Sequence, residues 1–150
     1  IAFGEILNGD FKSYAEQIVK NAKVLEQEFT NRDYTLCFGG TDNHLLLMDL
    51  TNKGVTGAQA EEALDKAGIT VNKNMVPDDP RSPFDPSGIR LGTPAITTRG
   101  MKEAEMKQIA EWMDRAIINH EDESVLKEIR AQVKALTDQF PLYPNLTYNN

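Results

Sequence analysis

The sharpest chemical signal in the sequence is one arginine between two glycines, in the segment Gly88-Ile89-Arg90-Leu91-Gly92. Side chains of a β-strand alternate between its faces, so the arginine and both glycines share one face while the two aliphatic residues point to the core. Because glycine has no side chain, we expect open space around the guanidinium. Such space suits a planar carboxylate, which accepts two parallel N–H···O bonds from arginine. The alternative is an ordinary ion pair with an Asp or Glu of the protein.

A long loop rich in proline precedes this arginine. Residues 71–100 hold five of the seven prolines and three of the six arginines. Proline fixes φ and removes an N–H donor, so the loop is stiff without being helix or sheet, and long ordered loops are usually functional. Asn72 and Asn74 are either amide contacts for a heterocycle or turn residues. Phe84 either covers a flat ligand or, as the favoured interpretation, anchors the loop to the core.

Two further arginines lie in this segment, and each has a plainer interpretation than ligand binding. Arg99 lies between an Ile-Thr-Thr segment and a glycine, where its default role is to tie down the chain or to pair with an acid. Arg81 lies among prolines and is expected to be solvated.

Other catalytic patterns are missing from the sequence. His44, His120 and Cys37 do not have the spacing of a metal site, so none is predicted. There is no Gly-x-Ser-x-Gly nucleophile elbow and no Walker phosphate loop. Cys37 is expected in mid-strand, buried and inert.

Helical periodicity predicts most of the elements that would hold these residues in place. Apolar residues at steps of three or four predict a long helix over 11–29. Thr56 and Gln59 form a capping-box pattern, and Gly68 is placed to end that helix in a left-handed conformation. The remaining helices are predicted at about 57–67, 102–118 and 122–139.

Four short segments read as strands, at 34–38, 44–50, 69–71 and 87–93. The second contains Leu45-Leu46-Leu47-Met48 and is expected to be buried on both faces. The predicted fold is therefore an α/β two-layer sandwich, a small and mostly antiparallel sheet covered by helices and preceded by the long helix.

Composition restricts the function further. The chain has 150 residues, 40% of them hydrophobic, which is enough for one domain with a core. A net charge of −7 argues against general nucleic-acid or membrane-surface binding. No apolar run reaches the roughly 20 residues that span a bilayer. One cysteine and no signal-peptide pattern favour a cytoplasmic location. The opening IAFGEIL lacks an initiator Met, so we expect a piece of a longer chain.

The run GGTDNHLLLMDL, followed by GITVNKN, DPRSPF, SGIRLGTPA and TTRG, resembles the C-terminal region of serine hydroxymethyltransferase. These motifs stand in the family's order and spacing, and the resemblance covers essentially the whole chain. It implies the small domain of a fold-type I pyridoxal-phosphate enzyme, a transferase of one-carbon metabolism and amino-acid biosynthesis. Residues 1–30 would then join the large cofactor domain to a small domain at 31–150.

The resemblance also assigns roles to particular residues. Arg90 matches the arginine that binds the carboxylate of serine or glycine. Asn74, Ser82, Pro83 and Phe84 match positions that line the tetrahydrofolate site. Arg99 matches an arginine near the active site whose role is structural support.

The same resemblance implies what lies outside this chain. The family's Schiff-base lysine has a Thr-His-Lys context that none of the ten lysines here shares. Pyridoxal 5'-phosphate would then be bound mainly by a large domain that precedes this piece, and the piece alone is predicted to be inactive. The parent is expected to be a homodimer or tetramer, and the piece is expected to self-associate through apolar surface on its first helix. The alternative is a stand-alone, non-catalytic domain that binds an anion or a partner protein.

Overall fold

The computed structural model of the chain describes residues 2–7 and 11–142. Its helices are α1 (Ala2–Leu7), α2 (Phe11–Asn31), α3 (Gly57–Lys66), α4 (Pro94–Thr98), α5 (Glu103–Ile118) and α6 (Glu123–Gln139). Its strands are β1 (Thr35–Leu36), β2 (Leu45–Asp49), β3 (Asn72–Asn74) and β4 (Gly88–Gly92). Within these ranges, no helix is long and apolar enough to cross a bilayer.

The four strands form one antiparallel sheet in the order β1-β2-β4-β3. Helices pack on one face, where Leu46, Met48 and Ile89 are at most 1% exposed. The other face carries Arg90 and is open. The predicted small antiparallel α/β sandwich is thus confirmed, with helices on one side of its sheet.

The open face corrects one prediction. Strand β2 is not buried on both sides, because its side chains alternate: Leu46 and Met48 enter the core, whereas Leu45 is 37% exposed. A run of consecutive leucines therefore lies in a one-sided antiparallel strand.

Two other strand predictions need shifting. The segment 34–38 pairs only at Thr35–Leu36 and then tightens into a 3₁₀ turn at Cys37–Gly39. The strand expected at 69–71 lies instead at Asn72–Asn74, on the edge of the sheet. The short helix α4 was not predicted, and its Pro94 stands at the first helical position, which proline favours.

The predicted capping signals are confirmed. The Thr56 hydroxyl accepts from the backbone N–H of Gln59, and the Gln59 side chain accepts from the backbone N–H of Thr56. Gly68 follows α3 with φ 82°, and Ile69 N–H returns to the Leu64 carbonyl. These contacts fix both ends of the helix that covers β3 and β4.

Helix α2 packs along the domain through Ala22, Leu25 and Phe29, each at most 1% exposed. Burial of one such large side chain contributes roughly 1.5–3 kcal/mol. Beside them Asn21 is fully buried, and its amide nitrogen donates to Thr97 Oγ1 at 2.9 Å and to the Met101 carbonyl at 3.0 Å.

A second contact continues this polar seam. Thr93, which follows β4 directly, donates its hydroxyl to the Ile18 carbonyl at 2.8 Å. The long helix is therefore fixed by hydrogen bonds to the segment that ends the arginine strand. The N-terminal part of α2 keeps apolar surface in solvent, with Phe11 45% and Val19 37% exposed.

Candidate functional site

Arg90 lies at the centre of the open sheet face. Its strand neighbours are Leu47 on β2 and Asn72 on β3. The alternation predicted for this strand is confirmed, since Ile89 and Leu91 are buried while the arginine is exposed. Among the described residues, no Asp or Glu oxygen lies within the 4.0 Å ion-pair distance of its guanidinium. The ion pair that was the alternative to a ligand is thus not formed within that part of the chain.

The two glycines beside Arg90 serve different purposes. A methyl group on Gly88 would lie 2.5 Å from the Met48 carbonyl oxygen and 2.6 Å from Val76 Cγ1. Gly88 is buried under the loop, so the expectation of open space on both sides of Arg90 is wrong at this glycine. Gly92 is exposed, and its nearest neighbour in the same test is the His44 carbonyl oxygen at 3.1 Å. A contact of 3.1 Å is tight for a Cβ, so the expectation of open space is wrong at Gly92 as well.

A cleft of about 460 Å³ opens in front of Arg90. Asn74 lines it from the edge strand, where it stands opposite Gly88 and donates its amide to the Met75 carbonyl at 2.7 Å. The structure therefore brings together two of the predicted site residues, Arg90 and Asn74. The cleft is also lined by residues that the sequence analysis did not select: Lys23, Phe38, Asp42, Asn43, Leu45 and Leu47.

The far wall of this cleft is the turn at 37–44, which α2 holds in place. The Glu26 carboxylate accepts the Thr41 N–H at 2.9 Å and the Lys23 ammonium at 3.0 Å. It packs so closely that a methyl group on Gly40, which has φ 136°, would lie 2.6 Å from its carboxyl carbon. A helix carboxylate thereby shapes a turn 15 residues away in the sequence.

Phe38 is the unusual residue of this turn. It adopts a left-handed φ of 61° and is 88% exposed. Both properties are uncommon for a large aromatic residue, and strained backbone of this kind concentrates at functional sites. The available signal was the aromatic residue directly before the Gly-Gly pair. Its neighbour Cys37 is half-buried in the 3₁₀ turn rather than in mid-strand, and burial, followed by the charge of Asp49, raises the pKa of its thiol.

The proline-rich loop is organised around Asp79. Its carboxylate accepts N–H groups from Val76, Arg81 and Ser87, together with the Ser87 hydroxyl at 2.7 Å. Partial loss of hydration raises the pKa of Asp79, but these four hydrogen bonds outweigh it and hold the pKa well below its usual range. The loop is therefore ordered by its own contacts.

The loop presents Ser82, Pro83 and Phe84 to solvent, outside the cleft of Arg90. Phe84 is 86% exposed, so the favoured prediction that it anchors the loop to the core is wrong. Arg81 is exposed as expected, but it also pairs with Asp85 and donates Nε–H to the Asp85 carbonyl at 3.0 Å.

Arg99 lies apart from Arg90. Its Nη1 donates to the Phe140 carbonyl at 2.9 Å, which ties the end of α4 to the end of α6. This agrees with the default role predicted for it, and it lines a different cleft. Within the described residues, no three His, Cys, Asp or Glu side chains are grouped closely enough to hold a metal ion.

The structure thus defines a small α/β domain whose antiparallel sheet has an open face with an exposed arginine, and no Asp or Glu of the described residues pairs with it. The comparisons with known proteins identify the family. The family model of serine hydroxymethyltransferase matches residues 1–113. The chain therefore belongs to the serine hydroxymethyltransferase family.

Individual relatives agree. The chain is 52% identical over 147 residues to a serine hydroxymethyltransferase of Methanospirillum hungatei, covering 98% of this chain and 36% of the relative. It is 54% identical over 143 residues to one of Acidobacterium capsulatum, covering 95% of this chain and 34% of the relative. The chain thus spans about a third of the length of the curated relatives it matches.

Proposed function

We propose that this chain is the C-terminal portion of a glycine hydroxymethyltransferase, which interconverts serine and glycine and passes the one-carbon unit to tetrahydrofolate. The observation that carries the proposal is Arg90. In a chain of this family, its guanidinium is exposed at a cleft and pairs with no Asp or Glu of the described residues. It binds the carboxylate of serine or glycine through two parallel hydrogen bonds.

Tetrahydrofolate is assigned to Asn74 and to the loop residues Ser82, Pro83 and Phe84. Asn74 lines the Arg90 cleft, so its amide can contact a heterocycle that lies next to the amino acid. The other three residues stand on a loop whose shape Asp79 fixes before any ligand arrives, which lowers the entropy cost of binding. The exposed ring of Phe84 offers an apolar surface to a flat ligand. Arg99 supports the site indirectly, by holding the segment after β4 against α6.

The described residues do not fit pyridoxal 5'-phosphate. Lys23 lines the cleft, but its ammonium is 3.0 Å from Glu26 and 4.0 Å from Asp42, whereas a Schiff base requires a free amine. The cofactor is assigned mainly to a large domain outside this chain. Residues 1–30 join that domain to the small domain at 31–150, in a cytoplasmic homodimer or tetramer.

The test is Arg90→Lys in an enzyme of the relatives' full length that carries this sequence. Lysine keeps the charge but loses the planar fork, so we expect KM for serine to rise about 10- to 100-fold, the worth of a charge-assisted hydrogen bond. Affinity for pyridoxal phosphate should stay near the wild-type value. Arg130→Lys is the matched control, because Arg130 bonds the Asp65 and Lys66 carbonyls at the end of α3. An unchanged KM in Arg90→Lys would show that Arg90 does not bind the substrate.

A further inference from the structure

A second cleft, of about 270 Å³, lies on the helical side of the domain. It opens between the chain that leaves α3, the helix α4 and the facing sides of α5 and α6. Its walls are mainly aliphatic side chains, and those that matter most here are Ile69, Leu91, Ile96, Ile109 and Val133. Such a concave apolar surface with few polar groups is the usual form of a small-molecule site.

One charged side chain lines this cleft, and it is Arg99. The residue is half-buried, and its guanidinium donates one hydrogen bond, from Nη1 to the Phe140 carbonyl. No Asp or Glu in the part of the chain that the structure describes lies within ion-pair distance of it. A partly desolvated guanidinium is more stable with an anion beside it, and in a protein of net charge −7 the lack of an acidic neighbour is notable.

We propose that this cleft binds a small carboxylate with an apolar body, such as a short fatty acid or an aromatic acid, with its carboxylate on Arg99. The aliphatic walls would cover the apolar part, and the free N–H groups of the guanidinium would receive the two oxygens. The cleft volume of about 270 Å³ is just below the roughly 300 Å³ of the smallest typical ligand pockets, so the ligand must be a small molecule. The site shares no lining residue with the Arg90 cleft, so it does not depend on the proposed function.

The chemistry of the walls decides against other anions. A phosphate or sulfate would bring its charge against an aliphatic surface that offers no further donors to most of its oxygens. A neutral apolar molecule would fill the cleft but leave the guanidinium without an anion. A monocarboxylate with an apolar body satisfies both the walls and the arginine.

The chain contains its own reporter for this cleft. Trp112 is the single tryptophan of the sequence, and it lines the cleft with 5% of its surface exposed. The experiment titrates the 150-residue chain with 4-iodobenzoate and follows quenching of Trp112 fluorescence by the iodine atom. The neutral 4-iodobenzyl alcohol, of nearly the same shape, measures binding without the carboxylate.

We expect saturable quenching by 4-iodobenzoate, and we expect the alcohol to bind about 10- to 100-fold more weakly. Arg99→Gln should weaken binding of 4-iodobenzoate by a similar factor and leave binding of the alcohol unchanged. Arg81→Gln, on the exposed loop and outside both clefts, should change the binding of neither probe. Ile109→Phe fills the cleft but keeps Arg99, so it should weaken the binding of both probes. Circular dichroism establishes that each variant is folded.

Three results would overturn the proposal. The first is no saturable quenching by 4-iodobenzoate in the wild-type chain. The second is equal affinity for the acid and the alcohol, or an Arg99→Gln variant that is folded and binds the acid as tightly as the wild type. The third is binding that appears only after deletion of residues 143–150, since the cleft would then be covered by the chain itself.

Discussion

Asn21→Leu tests whether the buried polar seam holds α2 onto the rest of the domain. Leucine has the same branched arrangement of side-chain heavy atoms as asparagine, so the change removes the hydrogen bonds, while its two bulkier methyl groups add a cost of overpacking at this buried site. The amide donates to Thr97 Oγ1 and to the Met101 carbonyl, and it is fully buried. The change also removes the hydrogen bond that Asn21 Oδ1 accepts from Gln17 Nε2 at 2.9 Å. The three lost hydrogen bonds cost about 1 kcal/mol each, and an orphaned buried carbonyl costs about 1–3 kcal/mol. Allowing for overlap between these terms, we expect a loss of about 2–4 kcal/mol in the free energy of unfolding.

The assay is urea unfolding of the 150-residue chain, followed by Trp112 fluorescence, with the same m-value expected for wild type and variant. Asn31→Leu is the matched control on the same helix. Asn31 is exposed and accepts one hydrogen bond from Gln27, so its replacement should change stability by less than about 0.5 kcal/mol. A loss below about 1 kcal/mol in Asn21→Leu would refute the reasoning, because the seam would then contribute no more than a surface contact.

Two further predictions concern the loop and the chain alone. Because the pKa of Asp79 is lowered in the folded state, its stabilising effect is complete above 3.8, its usual value, and is lost as pH falls through the lower, folded value. Asp79→Asn should therefore lose less stability than the wild type as the pH falls, as measured by urea unfolding at a series of pH values. Asp78→Asn, at the exposed neighbour, should lose as much as the wild type. Equal acid profiles for Asp79→Asn and wild type would contradict this. The 150-residue chain mixed with pyridoxal phosphate should leave the cofactor's absorbance unchanged and turn over no serine, and measurable turnover would contradict the assignment of the cofactor to another domain.

Local signals predicted the helices well because their causes are local. The steps of three and four in α2 and the Thr56–Gln59 capping box depend on residues within one or two turns. The bounds of α5 and α6 agree with the predicted 102–118 and 122–139 to within one residue.

The strands were harder because their burial depends on distant partners. A run of leucines fits a strand buried on both faces, and its own sequence does not reveal that one side of β2 is left open. Strand β3 was placed too early because its Asn-Lys-Asn sequence is polar. An edge strand of this kind is defined by its pairing with β4 rather than by hydrophobic alternation.

The site shows the same division between local and distant causes. Arg90 was found because strand alternation is local, and its exposure on the open face is confirmed. The prediction of open space at Gly88 was wrong because Val76, twelve residues earlier, packs against this glycine. The wall at Phe38 was missed because Glu26 on α2 shapes that turn across the fold.

The most direct test of the central claim is a crystal structure of the full-length enzyme with bound glycine. We expect the two carboxylate oxygens to lie within about 3 Å of two guanidinium nitrogens of Arg90, in a parallel bidentate arrangement. The Arg90 guanidinium, which pairs with no Asp or Glu of the described residues, would then donate its hydrogen bonds to the substrate carboxylate. A glycine carboxylate bound by other residues, with Arg90 paired instead to a protein carboxylate, would contradict it.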